Sequence, residues 1–251
     1  MRRAVTAKTA TITVIVPALD EELHIEAAAA EVTEAVSARF LDWEILLFND
    51  GSRDRTGPLM DQIAARDPHV RVVHNERSRN LGGVYKQGLQ MARFEYVLMV
   101  PGDNENPATA LHAPLAAVGL ADIVLPFPED NAVRSAFRNT LSGAYTKTVN
   151  LLFGLELPYY NGTVIHRTNL VRSVDIGTDS FAYQAEALVK LLSAGCSFVP
   201  VGITVVPRAG RKSKALRLKN LLGVAATFAR VFLEVRVLRR LPDPIPGLER
   251  P

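Results

Sequence analysis

The sequence contains little cysteine, few aromatic side chains and no long apolar run. Its 251 residues include one cysteine, Cys196, and 7% aromatic residues. One cysteine excludes an internal disulfide framework and is typical of proteins from a reducing compartment. Because no histidine stands beside it, we interpret Cys196 as a small buried residue. No stretch of about 18 uninterrupted apolar residues occurs, so no transmembrane helix is predicted.

The first ten residues do not resemble a signal peptide. They begin with basic residues, but Lys8 interrupts the apolar stretch, Asp20 ends it, and no small-residue cleavage site follows. We therefore predict a flexible tail over residues 1–10. The last eleven residues, 241–251, hold three prolines before the terminal one, which predicts a second extended tail.

Charge is distributed unevenly along the chain. The net charge is +3, but residues 207–251 hold 11 basic and three acidic residues, whereas the rest holds 18 basic and 23 acidic residues. This asymmetry predicts an acidic, metal-binding site in the first part and an anionic partner for the last part. Basic residues do not alternate with aromatic ones, so nucleic acid is excluded and a phosphate-bearing membrane surface is favoured.

Short apolar runs alternate with helical patterns through the first half of the chain. The runs cover residues 11–17, 43–48, 70–74 and 96–100. Buried runs separated by helices are typical of an α/β domain with a mostly parallel sheet and helices on both faces. The five histidines are scattered without the spacing of a metal site.

Three acidic turns follow these runs. We call residues 17–22 (PALDEE) the first acidic turn, residues 49–54 (NDGSRD) the second, and residues 101–105 (PGDNE) the third. Ligands of open α/β sheets bind at the carboxyl ends of strands. Three clusters of carboxylates at one edge repel one another unless a cation or a hydrogen-bonding ligand lies among them.

The order PALDEE, NDGSRDRT, RNLGGVYKQGL and VPGDNE resembles family 2 of the glycosyltransferases, in particular the polyprenyl-phosphate branch that is similar to dolichyl-phosphate mannose synthase. The resemblance covers roughly residues 11–219. It implies a three-layer glycosyltransferase A-type catalytic domain over residues 11–212. The implied activity is transfer of a sugar from a nucleoside-diphosphate sugar, with inversion, to a polyprenyl phosphate.

The resemblance also implies roles for the acidic turns. Asp103 acts as a catalytic residue and, with Glu105, holds a divalent metal, Mg²⁺ or Mn²⁺, against the diphosphate. The donor nucleotide sugar is bound by Pro17, Asp20, Glu21, Asp50, Gly82 and Asp103. Three positions depart from the family pattern, since Leu19 replaces an aromatic residue, Asn49 the first Asp of a pair, and Pro101 the first Asp of Asp-x-Asp.

A second group of residues is implied on the phosphate and acceptor side. It consists of Arg134, Arg138, Asn161, Gly162, Arg208, Ser213 and Lys214. Guanidinium groups suit pyrophosphate or a phosphate acceptor because they form paired hydrogen bonds with its oxygens. Glu186 matches a helix facing the reaction centre in relatives, and we predict it as a catalytic base for a hydroxyl acceptor; a phosphate acceptor needs no base.

An amphipathic helix is predicted over residues 213–240. Its apolar stripe includes Phe228, Val231, Phe232 and Val235, and its basic residues suit an anionic interface. We expect the stripe to lie shallowly in a membrane surface, although packing against the protein core is the competing account. The expected location is cytoplasmic, peripheral at the inner face of the membrane. Two alternatives stay open: a transferase acting on a soluble glycan or small molecule, and a non-catalytic nucleotide-sugar-binding protein.

Overall fold

The computed structural model describes residues 10–129, 136–204 and 218–239, with backbone alone for helix residues 136–138 and 218–222. The strands are β1 Thr11–Ala18, β2 Asp42–Asn49, β3 Val70–His74, β4 Tyr96–Met99, β5 Ile123–Pro128, β6 Ile165–Arg167 and β7 Phe198–Ile203. The helices are α1 Ile25–Ser37, α2 Thr56–Arg66, α3 Asn80–Met91, α4 Ala108–Ala116, α5 Ala136–Phe153, α6 Thr168–Arg172, α7 Tyr183–Ser193 and α8 Leu218–Phe232, continued by a π-helical turn over Leu233–Val237.

The seven strands form one sheet in the order β3-β2-β1-β4-β6-β5-β7. Strand β1 pairs in parallel with β2 and β4, while β6 runs antiparallel between β4 and β5. The predicted mostly parallel sheet is confirmed. Because the parallel strands share one direction, the residues that follow β1, β2, β4 and β5 all reach the same edge of the sheet.

Helices cover both faces of this sheet, which gives three layers. On one face, α1 and α4 pack against alternate strand residues such as Ile12, Val14 and Val16. On the other face, residues of α3, α5, α7 and α8 belong to the core cluster that contains Ile15 and Leu46. This alternation follows from the pleat of a strand, which points successive side chains to opposite faces. Cys196 is buried, as predicted, and burial raises the pKa of its thiol to about 11.

The C-terminal helix packs differently from the prediction. Phe228, Val231 and Val235 are buried in the core that contains α5 and α7, so the expectation that these residues enter a membrane is wrong. Their physical role is to complete the layer of helices on that face. Phe232 remains partly exposed. Within the described ranges, no helix combines the length and the apolar character needed to cross a membrane.

Candidate active site

The three acidic turns meet at the carboxyl edge of the sheet because their strands are neighbours. The Asp50 amide donates to the Ala18 carbonyl at 2.9 Å, and the Gly102 amide donates to the Pro17 carbonyl at 2.9 Å. The end of β1 therefore lies between the second and third acidic turns. Gly102 fits there because an added Cβ would lie 3.1 Å from the Ala18 side chain. The sequence prediction that these turns share one edge is confirmed.

The first and second acidic turns interlock through hydrogen bonds. The Asp20 amide donates to the Ser52 hydroxyl at 3.0 Å, and the Arg53 amide donates to the Asp20 carboxylate at 2.8 Å. The Glu21 amide donates to the Thr56 hydroxyl at 2.8 Å. Asp20 adopts a left-handed backbone conformation, with φ of 57°, which aspartate tolerates better than most residues. The carboxylate of Asp20 therefore shapes the turn itself.

Asp54 also connects the first and second acidic turns through hydrogen bonds. Its carboxylate accepts hydrogen bonds from the Glu22 amide at 3.1 Å and from the Thr56 amide and hydroxyl at 2.9 and 2.5 Å. Burial alone raises the pKa of Asp54, but these hydrogen bonds outweigh it, and the pKa lies below its ordinary value. The sequence does not reveal this contact, since its partner Glu22 lies 32 residues away.

Asp50 organises the loop that follows β3. Its carboxylate is 4% exposed and accepts hydrogen bonds from Asn75 at 3.0 Å, from Ser78 at 2.7 Å, and from the Arg79 amide at 2.9 and 3.1 Å. Gly51 has a φ of 81°, and an added Cβ would lie 3.0 Å from the Ser78 nitrogen. The second acidic turn and the loop 75–79 are consequently held as one unit.

A polar cavity of about 660 Å³ opens beside this unit. Its walls are Leu19 and Asp20 after β1, residues 49 and 51–53 after β2, and residues 75–78 after β3. The walls contribute acidic, basic, hydroxyl and amide groups, which are the groups that recognise a nucleoside. The predicted donor residues Asp20 and Asp50 thus border one cavity or support its wall.

The contacts of Asn49 explain why an amide side chain, and not a carboxylate, occupies this position. Its side-chain oxygen accepts from the Ser52 amide at 3.1 Å, and its side-chain nitrogen lies 3.0 Å from Nδ1 of His74. Nε2 of His74 in turn lies 3.0 Å from the Asp61 carboxylate. An amide can accept at one atom and donate at the other, whereas a carboxylate only accepts. Sequence reasoning did not find His74, because it treated the histidines as scattered loop residues.

Asp103 and Glu105 lie on the third acidic turn. Asp103 is partly buried, Glu105 is exposed, and the Glu105 amide donates to the Asp103 carboxylate at 3.2 Å. Asn104 between them has a φ of 55°. No group of three or more His, Cys, Asp or Glu side chains suited to a metal ion occurs in the described part of the chain. Two carboxylates fit a hard divalent cation whose other ligands are substrate oxygens and water.

Gly82 is a glycine because another segment of the chain crosses it. Its amide donates to the Asp179 carbonyl at 3.0 Å, and an added Cβ would lie 2.6 Å from the Thr178 carbonyl oxygen. The backbone amide of Gly82, a predicted donor-binding residue, therefore has a protein acceptor in this structure. The predicted contact of Gly82 with the donor stays a prediction, while close packing accounts for the residue type.

Glu186 is fully buried on α7. Its two oxygens accept from the Gly177 amide at 3.0 Å and the Thr178 amide at 3.2 Å, and they pair with Lys190 and Arg230 at 2.9 Å each. Burial raises the pKa of Glu186, but the hydrogen bonds from Gly177 and Lys190 and the two cations outweigh it, so the pKa is lowered. The catalytic role of Glu186 stays a prediction.

The acceptor-side residues are only partly described. Asn161 is exposed, and Gly162 packs so closely on β5 that an added Cβ would lie 2.6 Å from the Pro126 carbonyl oxygen. Arg138 lies on α5, but its side chain is outside the described part of the structure. Arg134, Arg208, Ser213 and Lys214 lie outside the described residues.

Comparison with known proteins identifies the family. The model of glycosyl transferase family 2 matches residues 13–156, which is more than half of the chain. The undecaprenyl-phosphate mannosyltransferase of Micrococcus luteus is 26% identical over 211 residues, covering 80% of this chain and 85% of that protein. A dolichyl-phosphate beta-glucosyltransferase of Trichomonas vaginalis is 32% identical over 90 residues, which cover 36% of this chain and only 25% of that protein.

Solved structures give the same fold. Glucosyl-3-phosphoglycerate synthase of Mycobacterium tuberculosis, in complex with Mg²⁺ and uridine diphosphate, superposes with a TM-score of 0.65 at 17% identity, covering 93% of this chain and 81% of that one. Another structure of that synthase contains Mn²⁺, uridine diphosphate and phosphoglyceric acid. These neighbours have the glycosyltransferase A-type fold. The acidic edge, the sheet order and the family match agree, and the chain belongs to glycosyl transferase family 2.

Proposed function

We propose that this protein transfers a sugar from a nucleoside-diphosphate sugar to a polyprenyl phosphate, with inversion at the anomeric carbon. The observation that carries the proposal is the convergence of the three acidic turns beside a polar cavity at the carboxyl edge of a family 2 sheet. The similarity to an undecaprenyl-phosphate mannosyltransferase over most of both chains favours the lipid phosphate as acceptor.

The donor occupies the cavity between the first acidic turn and the loop 75–79. The nucleoside lies against Asp20 and Ser52, and the diphosphate extends toward Asp103 on the adjacent turn. Asp50 contributes by holding the loop wall through its four hydrogen bonds. A preorganised wall lowers the entropy that the protein loses when the nucleoside binds.

Asp103 and Glu105 are the residues that would hold Mg²⁺ or Mn²⁺. When bound, such an ion neutralises the charge that develops on the leaving diphosphate. The two carboxylates leave most of the coordination sphere for phosphate oxygens and water. Their own role is to orient the diphosphate, so that the anomeric carbon faces the acceptor.

Inversion requires the acceptor oxygen to approach from the side opposite the diphosphate. A phosphate monoester carries a second pKa of about 6, so its oxygen is already anionic near neutral pH. No general base is needed for such an acceptor, and the buried, hydrogen-bonded state of Glu186 agrees with this. Arg138 and Asn161 are proposed to bind the phosphate of the acceptor.

The proposed membrane contact keeps Phe232 of the predicted stripe and otherwise uses exposed residues at the end of the C-terminal helix and on α5. Leu233 and Val237 of the π-helical turn are 54% and 58% exposed, and Leu151 of α5 is 85% exposed. Arg236 joins these elements by donating to the Leu152 carbonyl at 3.3 Å. We call the exposed apolar residues Leu151, Leu152, Phe232, Leu233, Val237 and Leu238 the apolar face. Arg236 and Arg239 beside it suit anionic headgroups, so peripheral binding to the cytoplasmic face of a membrane follows.

The test is a transfer assay with the full chain. Nucleoside-diphosphate sugars are incubated with undecaprenyl phosphate in detergent or with 3-phosphoglycerate as soluble acceptor, with Mg²⁺, Mn²⁺ or a chelator, and product anomers are assigned by nuclear magnetic resonance. Metal-dependent glycosylation of the lipid with inverted configuration supports the proposal. Transfer to the soluble acceptor alone favours the second candidate, and nucleotide binding without turnover favours a non-catalytic binder.

A further inference from the structure

Four charged side chains tie α7 to the C-terminal helix. Glu186 pairs with Lys190 and Arg230 at 2.9 Å each, and Glu234 pairs with Lys190 at 2.7 Å and with Arg230 at 3.4 Å. Two acids and two bases balance one another, and Glu186 lies fully buried at their centre. Glu186 and Lys190 are buried, whereas Arg230 and Glu234 are partly exposed. Because a buried charge is costly to leave without a partner, these contacts hold α8 against α7.

The Glu186 carboxylate also binds a loop. It accepts from the Gly177 and Thr178 amides at 3.0 and 3.2 Å, while Lys190 donates to the Asp175 carbonyl at 2.6 Å. The Arg230 guanidinium lies against Gly177, where an added Cβ would displace it. The loop, α7 and α8 therefore share one polar centre.

The same loop covers the beginning of α3. The Asp179 carbonyl accepts from the Gly82 amide at 3.0 Å, and the Asp179 carboxylate pairs with Lys86 at 2.6 Å. Three residues before Gly82, the Arg79 amide donates to Asp50. A continuous set of contacts thus leads from Arg230 on α8 to the wall of the polar cavity.

From this set of contacts we propose that Glu186 is a positioning residue for the donor site: through the loop 177–179 it holds the first turn of α3 in place relative to α8. The inference rests on the proposed function, since it takes the cavity beside Asp50 as the donor site. The two oxygens of Glu186 accept hydrogen bonds from the loop amides, and the carboxylate pairs with Arg230. Glu186 therefore connects the loop to α8. In this proposal, the position of α8 therefore determines how tightly the donor site binds the nucleotide.

The first experiment compares Glu186→Gln with the wild-type chain. We expect the dissociation constants of uridine and guanosine diphosphate with Mg²⁺, measured by calorimetry, to rise about tenfold for whichever nucleotide the wild type binds. Amide hydrogen exchange in peptides covering residues 80–84 and 175–182 should accelerate about as much, while kcat at saturating donor changes less than about threefold. Loss of kcat with unchanged exchange and affinity would show a general base and overturn the proposal.

A second variant guards against a Glu186→Gln chain that does not fold. Arg230→Met removes the α8 partner of Glu186, together with the Arg230–Glu234 pair, and leaves Glu186 paired with Lys190 and both loop amides. We expect weaker nucleotide binding and faster exchange in the same peptides, by about threefold. Arg236→Met is the matched control. This nearby arginine donates to the Leu152 carbonyl, and no contact described in the structure joins it to Glu186, Lys190, Arg230 or Glu234. Wild-type values for Arg230→Met would overturn the link between α8 and the donor site.

The outcomes separate this inference from the proposed function. A wild-type chain that binds neither nucleotide contradicts the donor site, and the exchange of residues 80–84 in the two variants then still decides whether the coupling exists. A wild-type chain that binds nucleotide, with both variants binding equally well, leaves the proposed function standing and overturns the inference alone.

Discussion

Strands β2 and β4 both pair with β1, and the acidic turns that follow them are built differently. Asp50, after β2, is almost fully buried and accepts hydrogen bonds from Asn75, Ser78 and Arg79. Asp103, after β4, is partly exposed, and Glu105 beside it is exposed. A carboxylate surrounded by protein donors shapes a binding wall, whereas a partly exposed pair can receive a cation and a diphosphate. The comparison separates a carboxylate that supports the fold, Asp50, from the pair proposed to act in catalysis, Asp103 and Glu105, on one edge of the sheet.

The largest effect is expected from Asp103→Asn. If Asp103 orients the diphosphate and its metal, the substitution should lower kcat at least about a thousandfold, because several kcal/mol of charge stabilisation are lost. The melting temperature should stay within about 2 °C of wild type, since the side chain is not part of the packed core. Asp42→Asn is the control, because Asp42 is exposed at the opposite edge of the sheet. Transfer at the wild-type rate would remove the distinction between the two turns.

Asp50→Asn should affect folding and binding together. The amide keeps the size of the carboxylate but presents a donor toward groups that also donate, so a loss of about 2–3 kcal/mol of unfolding free energy is expected. Nucleoside-diphosphate affinity should fall while the dependence of the remaining activity on metal concentration stays unchanged. Urea unfolding and calorimetry measure the two effects. A stable variant with normal affinity would contradict the role of Asp50 as the support of the loop 75–79.

The alternation of elements could be predicted from the sequence, because a buried parallel strand is a local apolar run and its helix has its own period. The residues that form hydrogen bonds and ion pairs with each carboxylate could not be predicted from the sequence. The donors to Asp50 lie 25 to 29 residues further along the chain, and Arg230 lies 44 residues from Glu186. The three-residue strand β6 is too short to have a period, and its antiparallel direction follows from its neighbours.

The apolar stripe of α8 illustrates the same limit. Helical spacing predicted the stripe but could not decide between a membrane and the protein core. Phe228, Val231 and Val235 fill the core because α5 and α7 already present apolar residues there. The following turn, Leu233–Val237, is π-helical, so α-helical spacing does not predict which of its side chains are exposed.

A smaller effect, on membrane binding, is expected from substitutions on the apolar face. Leu233→Asp with Val237→Asp should weaken binding of the full chain to anionic vesicles by about tenfold or more, because each leucine-sized side chain contributes roughly 1.5–3 kcal/mol when buried. Nucleotide affinity should not change, since both side chains are exposed and neither lines the polar cavity or belongs to the four charged groups around Glu186. Leu41→Asp serves as the control at a remote exposed leucine. Equal vesicle binding by all variants would exclude the apolar face as a membrane contact.

The smallest effect concerns Asp54, which joins the first two acidic turns. Its pKa is lower in the folded chain than the ordinary value of about 3.9, so its contribution to stability is present above that pH and is lost as the pH falls through the lower folded value. Asp54→Asn should therefore cost about 0.5–1 kcal/mol at pH 7, a small figure because solvent reaches the site, and less near pH 3. Urea midpoints of both chains at the two pH values give the difference. A cost that is constant with pH would mean that the hydrogen-bond geometry of Asp54, and not its charge, holds the two turns together. The charge proposed for function at this edge would then lie on the third acidic turn.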